Sequence, residues 1–193
     1  FYSSKELVNN ISLAFNDAGL PNYCVQMIDT PEREAVDYLL SMQDYVDVII
    51  PRGGKGLIEK INSASKIPVI KHLDGICHVY VDKDADLKIA EKVVFNSKMR
   101  RPEICGAAET LLIDSNLKDK AMEILQPLKN VNCEIRGDEF IQSLDKDFKK
   151  ADEKDWSLEY LDKILSVKIV SGVQEAINHI NNYSSGHTES IIT

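Results

Sequence analysis

Apolar residues recur along the first third of the chain in two different periods. Leu7, Ile11, Ala14 and Phe15 share one face at helical spacing, whereas Val46–Ile50 is almost continuously apolar, as in a buried strand. Ser3 and Glu6 have the spacing of a capping box at a helix start. The predicted elements are a helix from Ser3 to about Gly19, a strand at Cys24–Ile28, a helix opened by Asp29 or Thr30 and Pro31 through Leu40, a strand at Val46–Ile50, a helix at Leu57–Ser63 and a strand at Ile67–Ile70.

The alternation continues through the rest of the chain. Asp82 or Asp84 is expected to cap a helix after the strand His78–Val81, and the mixed-charge stretch 145–155 is expected to lie on the surface. The further predictions are strands at Thr110–Ile113, Asn132–Ile135 and Leu165–Val170, and helices over Leu87–Val94, Leu117–Leu125 and Val173–Ile180.

Strands that alternate with amphipathic helices indicate an α/β protein with parallel strands and helices on both sheet faces, the doubly wound class. The first series of elements ends near Ile70–Gly75, where a second series begins. We therefore predict a domain boundary there.

Composition and charge exclude several classes of protein. The chain has 193 residues, 44% of them hydrophobic, which suffices for a real core. Lys and Arg total 23 against 31 Asp and Glu, and the resulting net charge of −8 repels nucleic acid and anionic membranes. Since no window resembles a membrane span and the first residues do not resemble a signal sequence, we expect a soluble, cytoplasmic protein.

The four cysteines stand far apart, without a CxxC pair or a Cys/His cluster, which argues against a disulfide scaffold or a zinc site. Cys24, Cys77 and Cys133 lie in or beside apolar runs and are expected to be small buried hydrophobes. Cys105 differs, because Arg100 and Arg101 precede it and small residues follow it. Nearby cations favour the reactive thiolate, so Cys105 is a candidate nucleophile, with an inert buried thiol as the alternative.

Between a predicted strand and a predicted helix, Arg52-Gly53-Gly54-Lys55-Gly56 forms a glycine-rich basic turn. Glycines allow a close backbone approach, and helix N-terminal amides favour an anion. The spacing matches neither a P-loop nor GxGxxG, so a glycine-permitted tight turn is the alternative.

The four histidines give weaker indications. His72 and His78 flank Asp74-Gly75, which suggests a binding turn rather than a metal site. His179 falls in a predicted helix and is expected at the surface or the edge of the core. His187 lies in a polar turn, where capping is the expected role.

Three long stretches together resemble the gamma-glutamyl phosphate reductase family, also called glutamate-5-semialdehyde dehydrogenase, of the aldehyde dehydrogenase superfamily. The similarity runs along the whole chain to Ser184–Thr193 and corresponds to the central half of the family. The three stretches are VIIPRGGKGL at residues 48–57, IPVIKHLDGICHVYVD at residues 67–82 and RPEICGAAETLL at residues 101–112.

This resemblance implies a partial NADP-binding domain of Rossmann type in residues 1–73 and a catalytic domain in residues 74–193. The implied reaction is the NADPH-dependent reduction of L-glutamyl 5-phosphate to glutamate 5-semialdehyde in proline biosynthesis, with no metal. The Cys105 thiolate would attack the acyl phosphate and expel phosphate, and hydride transfer to the resulting thioester would release the semialdehyde.

Roles for further residues follow from the same resemblance. Arg52, Gly53, Gly54 and Lys55 match the turn near the dinucleotide phosphates. The Cys105 backbone amide is a candidate oxyanion donor. As substrate-binding candidates we take Arg101, which could face the substrate phosphate with a solvated arginine as the alternative, and Gly106, where the family usually has Asn.

Residues 72–75 read His-Leu-Asp-Gly where the wider aldehyde dehydrogenases carry Glu-Leu-Gly-Gly, whose glutamate serves thioester hydrolysis. The absence of glutamate there fits a reductase, whose thioester is not hydrolysed. The resemblance also implies a functional link to glutamate 5-kinase and a homo-oligomer for full-length proteins. Because family members are longer, we expect little or no reductase activity from this chain alone, and exposed apolar surface.

Two other functions are compatible with the residues. One is a noncatalytic nucleotide- or phosphate-binding module that uses Arg52–Lys55 while Cys105 stays inert. The other is a thiol redox sensor in which Cys105 is reactive without a substrate. Alkylation rates across pH separate the binding module from the other two functions.

Overall fold

A computed structural model of the protein describes residues 1–72 and 74–193, apart from the side chain of Lys55. The chain divides into two compact units, residues 1–72 and residues 73–193. Leu73, at the edge of the predicted domain boundary, lies outside the described residues.

The first unit contains three α-helices and little β-structure in its described residues. The helices are α1 (Tyr2–Asp17), α2 (Glu34–Leu39) and α3 (Lys55–Ala64), with a 3₁₀ turn at Asn22–Cys24. Its core is small and includes Leu40, Ile58, Ile61 and Ile67.

The strand predictions in this unit are only partly confirmed. Ile49 and Val69 form one parallel bridge, in which the Ile70 N–H donates to the Ile49 carbonyl oxygen over 2.9 Å. The predicted strand at Cys24–Ile28 is wrong. Within the described residues this segment pairs with no strand, and Val25 and Ile28 are exposed. An apolar run becomes a strand only where another backbone supplies its hydrogen bonds.

Two predicted helix starts are also wrong. α1 begins at Tyr2 after Phe1, without a side-chain cap, so the Ser3–Glu6 capping box is not formed. α2 begins at Glu34 rather than beside Pro31, because the Thr30 hydroxyl accepts a hydrogen bond from the Glu32 N–H over 3.2 Å and holds a turn there.

The second unit is built on a six-stranded parallel sheet, as the α/β prediction requires. Its strands are β1 (Cys77–Val81), β2 (Ala108–Asp114), β3 (Glu134–Gly137), β4 (Lys149–Lys150), β5 (Ile164–Val170) and β6 (Glu189–Ile192). They lie in the order β4-β3-β5-β2-β1-β6, so β1 and β2 are central neighbours and β6 lies beside β1.

Four α-helices connect the strands of this sheet in the described part of the chain. They are α4 (Leu87–Met99), α5 (Ala121–Asn130), α6 (Glu139–Leu144) and α7 (Val173–Tyr183). Asp86 caps α4 by accepting from the Lys88 and Ile89 amides, whereas Asp82, one of the predicted caps, accepts from the Asp84 amide in a preceding turn.

The main core fills one sheet face between β1, β2, β5 and the helices α4 and α5. A smaller cluster of Tyr80, Leu112, Val170 and Ala176 occupies the opposite face beneath α7. The stretch 145–155 is only partly a surface segment, because Phe148, Ala151 and Asp155 are buried there.

Across residues 1–72 and 74–193, no helix combines the length and apolar character needed to cross a bilayer.

Candidate active site

Cys105 lies in a turn directly before β2 and is half-buried. The turn closes through the Ala107 N–H, which donates to the Ile104 carbonyl over 3.0 Å. Pro102 and Ala107 are buried on either side of it. Since β2 is a central strand, the turn is anchored in the sheet while the Cys105 side chain retains access to solvent.

Gly75 packs against the main chain of Cys105. A Cβ built on Gly75 would lie 2.0 Å from the Cys105 carbonyl oxygen, so a larger residue cannot fit without moving backbone. The Gly75 N–H donates to Glu159 Oε1 over 2.8 Å. The loop before β1 therefore packs closely against the Cys105 turn.

The thiol of Cys77 also reaches this turn. Its Sγ lies 3.2 Å from the Cys105 carbonyl oxygen, to which the S–H donates. Burial raises the pKa of the Cys77 thiol to about 11, with the Glu189 charge adding to the effect. Cys77 is thus buried, as predicted, but it contacts the candidate nucleophile. Cys133 is also buried as predicted, whereas Cys24 is exposed and that prediction is wrong.

A third loop, directly before β6, brings His187 to the same place. His187 Nδ1 lies 2.7 Å from the Thr188 hydroxyl and 3.6 Å from Cys77 Sγ. A Cβ on Gly106 would lie 3.9 Å from His187 Cε1, an ordinary contact. The Ile76 N–H donates to Ser185 Oγ over 3.0 Å, which ties the loops before β1 and β6 together.

The site is therefore assembled at the amino ends of β2, β1 and β6, three adjacent parallel strands. Arg101 and Gly106 lie in the same turn as Cys105, and both are exposed. Within the described residues, Arg101 forms no ion pair and the Cys105 N–H donates to no acceptor of the chain. Both groups are thus available to an anionic ligand.

Two histidines are buried. His78 is a buried residue of β1 rather than part of a binding turn, and His179 of α7 is 4% exposed, which excludes the surface among its two expected positions. Their rings meet edge to face with centroids 5.6 Å apart, and His179 also contacts the Trp156 ring. The rings of His78 and Trp156 are distant from His179 in sequence, so helical spacing alone does not reveal this burial.

Neither buried imidazole has a well-aligned hydrogen bond within the described residues. Glu189 Oε2 lies 3.2 Å from His78 Nδ1 but accepts instead from the His78 backbone N–H over 2.9 Å. Burial lowers the pKa of His179 to about 3, and the neighbouring His78 contributes to the shift. The His179 ring is therefore neutral at pH 7.

Glu109 of β2 and Lys98 of α4 form an ion pair beneath the site. Lys98 Nζ lies 2.7 Å from Glu109 Oε2, and neither side chain is exposed. Burial raises the pKa of Glu109 to about 7, although the Lys98 charge opposes the shift. A carboxylate committed to this buried pair is not accessible to a substrate or to water.

The Arg52–Gly56 turn belongs to the first unit. Arg52 is exposed, Gly54 caps α3, and the side chain of Lys55 lies outside the described part of the chain. Gly53 and Gly54 have negative φ, so no left-handed turn requires glycine there. A Cβ on Gly54 would meet no atom of the described residues within 4 Å, whereas a Cβ on Gly53 would lie 2.9 Å from Leu57 Cδ2. Gly54 therefore leaves open space at the start of a helix whose first amides lack intrahelical acceptors.

A cavity of about 430 Å³ adjoins this turn. Apolar side chains from α2 and α3 form part of its wall, and two cations lie at its border, one of which, Lys60, pairs with Asp37 over 2.7 Å. The lining residues are Arg33, Val36, Gly54, Gly56, Leu57 and Lys60. Such a wall suits a flat aromatic group with attached phosphates. Among the residues that the structure describes, no cluster of three His, Cys, Asp or Glu could hold a metal.

The sequence predicts Cys105 as a nucleophile but does not indicate the residues that contact its turn. The local patterns predict an inert Cys77, a capping His187 and a binding turn at Asp74-Gly75, and they give Glu159 no role. Their sequence separations from Cys105 range from 28 to 82 residues. The available signal was topological, since strands predicted to be parallel bring their preceding loops to one edge of the sheet.

Comparison with known proteins gives one family match and several close relatives. Residues 7–133 match the model of the aldehyde dehydrogenase family. The chain is 50% identical over all 193 residues to a gamma-glutamyl phosphate reductase of Bartonella tribocorum, of which it covers 47%. It thus spans about half the length of this curated relative.

Solved structures agree with this match. The crystal structure of gamma-glutamyl phosphate reductase from Thermotoga maritima superposes with a TM-score of 0.91 at 38% identity, over 99% of this chain and 46% of that one. An acetylating aldehyde dehydrogenase from Geobacillus thermoglucosidasius superposes with a TM-score of 0.70 at 22% identity, over 97% of this chain and 50% of that one, and at that identity it supports the fold alone.

Proposed function

The chain belongs to the aldehyde dehydrogenase family, and from this premise we propose that it carries the catalytic centre of a gamma-glutamyl phosphate reductase. The reaction would convert L-glutamyl 5-phosphate, NADPH and a proton to glutamate 5-semialdehyde, phosphate and NADP. The observation that carries the proposal is the half-buried Cys105, held at the amino end of a central strand by Gly75 and Cys77.

Cys105 is the proposed nucleophile. Its thiolate would form a bond to the acyl carbon while the bond from that carbon to the phosphate oxygen breaks, so that phosphate leaves and a thioester remains. Charge develops on the acyl oxygen during this step. The Cys105 N–H, which has no acceptor within the described residues, is the candidate donor to that oxygen.

Arg101 is the proposed phosphate-binding group. Its guanidinium is exposed in the same turn and has no carboxylate partner within the described part of the chain. A guanidinium pairs with two phosphate oxygens at once, which holds the leaving group during acyl transfer. Gly106 beside it leaves space for the substrate, because among the described residues a Cβ there would come within 4 Å of His187 Cε1 alone, at 3.9 Å.

NADPH is the proposed cofactor, and the first unit has residues that fit it. Arg52 and the open backbone at Gly54 would hold its phosphates, with Gly53 completing the turn. Val36 and Leu57 line the adjoining cavity and would contact its adenine. When bound, the cofactor supplies a hydride. The Cys105 side chain retains the acyl group until that reduction and then leaves as a thiolate.

The same site should protect the thioester from water. Within the stretch 72–75, His72 stands where the wider superfamily places a glutamate base. Glu109 is near in sequence to Cys105, but it is fully buried and paired with Lys98. Neither position supplies an accessible glutamate, which fits transfer of the acyl group to hydride rather than hydrolysis.

Phosphate release from glutamyl 5-phosphate tests this proposal. We expect the chain to release a burst of about one phosphate per Cys105, since acyl transfer requires only the second unit. The burst should vanish in Cys105→Ala and persist in the matched variant Cys133→Ala. Release at the uncatalysed rate in the unmodified protein would contradict the proposal.

Fluorescence titration with NADPH tests the cofactor assignment separately. Arg52→Ala should weaken NADPH binding about tenfold, because one charge-assisted contact to phosphate is lost. Arg101→Ala, in the other unit, serves as the control and should leave NADPH binding unchanged. Equal affinities for the Arg52 variant and the unmodified protein would contradict the role of Arg52.

A further inference from the structure

The buried thiol of Cys77 makes a direct hydrogen bond to the main chain of Cys105. Cys77 is 2% exposed, and its Sγ lies 3.2 Å from the Cys105 carbonyl oxygen. The raised pKa of Cys77 keeps this thiol protonated at neutral pH, so it remains a donor. The carbonyl oxygen is the acceptor.

The backbone of Gly75 also lies close to the carbonyl group of Cys105. The position that a Gly75 Cβ would take lies 2.0 Å from the Cys105 carbonyl oxygen and 2.7 Å from its carbon. The peptide group after Cys105 is therefore contacted by both the Gly75 backbone and the Cys77 thiol. Rotation of this group would move the Cys105 sulfur as well as the amide of Gly106.

We propose that Cys77 is a positioning residue for Cys105. Its S–H bond fixes the turn that presents the nucleophilic sulfur, and its contact with His187 Nδ1 at 3.6 Å joins the loop before β6 to that turn. The consequence for catalysis rests on the proposed function. The contact itself does not.

The bond also has an electrostatic effect on the site. The Cys77 S–H lies at the negative end of the Cys105 carbonyl dipole and compensates its partial charge. The acidic groups that act on Cys77 from neighbouring strands are Glu189 and Glu109, and both oppose its ionisation. Glu159 is held by the Gly75 N–H. The protonated thiol is therefore the state that this surrounding maintains.

Alkylation of Cys105 in four variants tests the proposal. Iodoacetamide modification would be followed by mass spectrometry of the peptide that contains Cys105, in Cys77→Ala, Cys77→Val, Cys77→Ser and the control Cys133→Ala. The two variants without a donor should slow the rate about threefold to tenfold. The serine hydroxyl should restore it to within about twofold of the unmodified protein, as a conserved hydrogen bond requires.

The control separates positioning from general stability. Cys133 is another buried thiol of the same unit, so Cys133→Ala should lower the thermal midpoint and leave the alkylation rate of Cys105 unchanged. Equal rates in Cys77→Val, Cys77→Ser and the unmodified protein would overturn the proposal. Loss of the fold in both Cys77→Val and Cys77→Ser would also overturn it, since Cys77 would then have a purely structural role.

Alkylation uses no acyl phosphate, so its result is independent of the proposed function. If Cys105 never acquires an acyl group, the reductase proposal fails while the role of Cys77 is still decided. In acyl transfer, the donor-free variants should lower the maximal rate and leave the half-saturating substrate concentration unchanged. A change in the half-saturating substrate concentration alone, with the maximal rate unchanged, would contradict a positioning role for Cys77.

Discussion

The ammonium group of Lys98 and the carboxylate of Glu109 lie 2.7 Å apart with both side chains fully buried. Lys98 belongs to α4 and Glu109 to β2, so the pair joins the helix to the strand that follows Cys105. The Leu161 N–H approaches the second carboxylate oxygen at 3.4 Å. Each charge depends on the other, because neither has access to water.

Lys98→Met should therefore destabilise the second unit by about 3–5 kcal/mol, since Glu109 is left buried without its cation. The pKa of Glu109, already raised to about 7, should rise further. Because folding raises the pKa of the Glu109 carboxyl, this group adds to the free energy of unfolding at low pH. The contribution is complete below the unfolded pKa near 4.5 and is lost as pH rises through the folded pKa. The loss should thus be larger at pH 8 than at pH 5 in urea denaturation.

The double variant Lys98→Met with Glu109→Gln is the control for this pair. It removes both charges at similar volume and should recover most of the lost free energy of unfolding. A pH-independent loss in Lys98→Met would show that the carboxyl group is not responsible.

The buried His179 ring should make the protein sensitive to acid. Because the pKa of His179 is lowered to about 3, this residue binds a proton near pH 6.5 in the unfolded chain but stays neutral in the folded chain. Its contribution to stability is therefore present above about pH 6.5 and is lost as pH falls toward 3. As pH falls from 7 to 5, His179 should lower the free energy of unfolding by about 2 kcal/mol.

His179→Phe keeps an aromatic ring against Trp156 and removes two buried nitrogens without aligned partners. Thermal denaturation should show the variant gaining stability relative to the unmodified protein as pH falls from 7 to 5. The solvent-accessible residue of the same helix, Asn178, provides Asn178→Ala as the control, which should not alter the pH dependence. Parallel pH profiles for His179→Phe and the unmodified protein would contradict the assigned pKa shift.

Much of the second unit could be predicted from the sequence. The central strands β1, β2 and β5 are rich in apolar residues and largely buried, and their alternation with helices indicates a covered parallel sheet. The first unit was predicted less well, because Cys24–Ile28 is apolar but has no strand partner in the described residues. The local pattern of apolar residues indicates which segments tend to be buried. A strand also requires a neighbouring backbone that supplies its hydrogen bonds.

Of the candidate site, only the turn that contains Cys105 could be predicted from the sequence. Cys105 has local signals, namely the preceding arginines and the small residues that follow. Cys77 and His187 have none, since their importance comes from the loops before β1 and β6 meeting the loop before β2. Ligands of open parallel sheets commonly lie at the carboxyl ends of the strands, whereas this candidate site lies at the amino ends.

Gly75→Ala should disrupt the candidate site more than any change at Gly106. Its new methyl group would lie 2.0 Å from the Cys105 carbonyl oxygen, which forces the main chain apart. We expect a loss of at least about 2 kcal/mol in unfolding free energy and at least tenfold slower Cys105 alkylation. Gly106→Ala, whose methyl meets His187 Cε1 at 3.9 Å, should change stability by less than about 0.5 kcal/mol. Equal tolerance of both substitutions would contradict the close approach.

The most direct measurement is peptide mass spectrometry of the protein after exposure to freshly formed glutamyl 5-phosphate without a reduced nicotinamide. The account predicts one added glutamyl group, located on the peptide that contains Cys105, released by hydroxylamine and absent from Cys105→Ala. An unmodified Cys105, or an adduct that survives in Cys105→Ala, would contradict it.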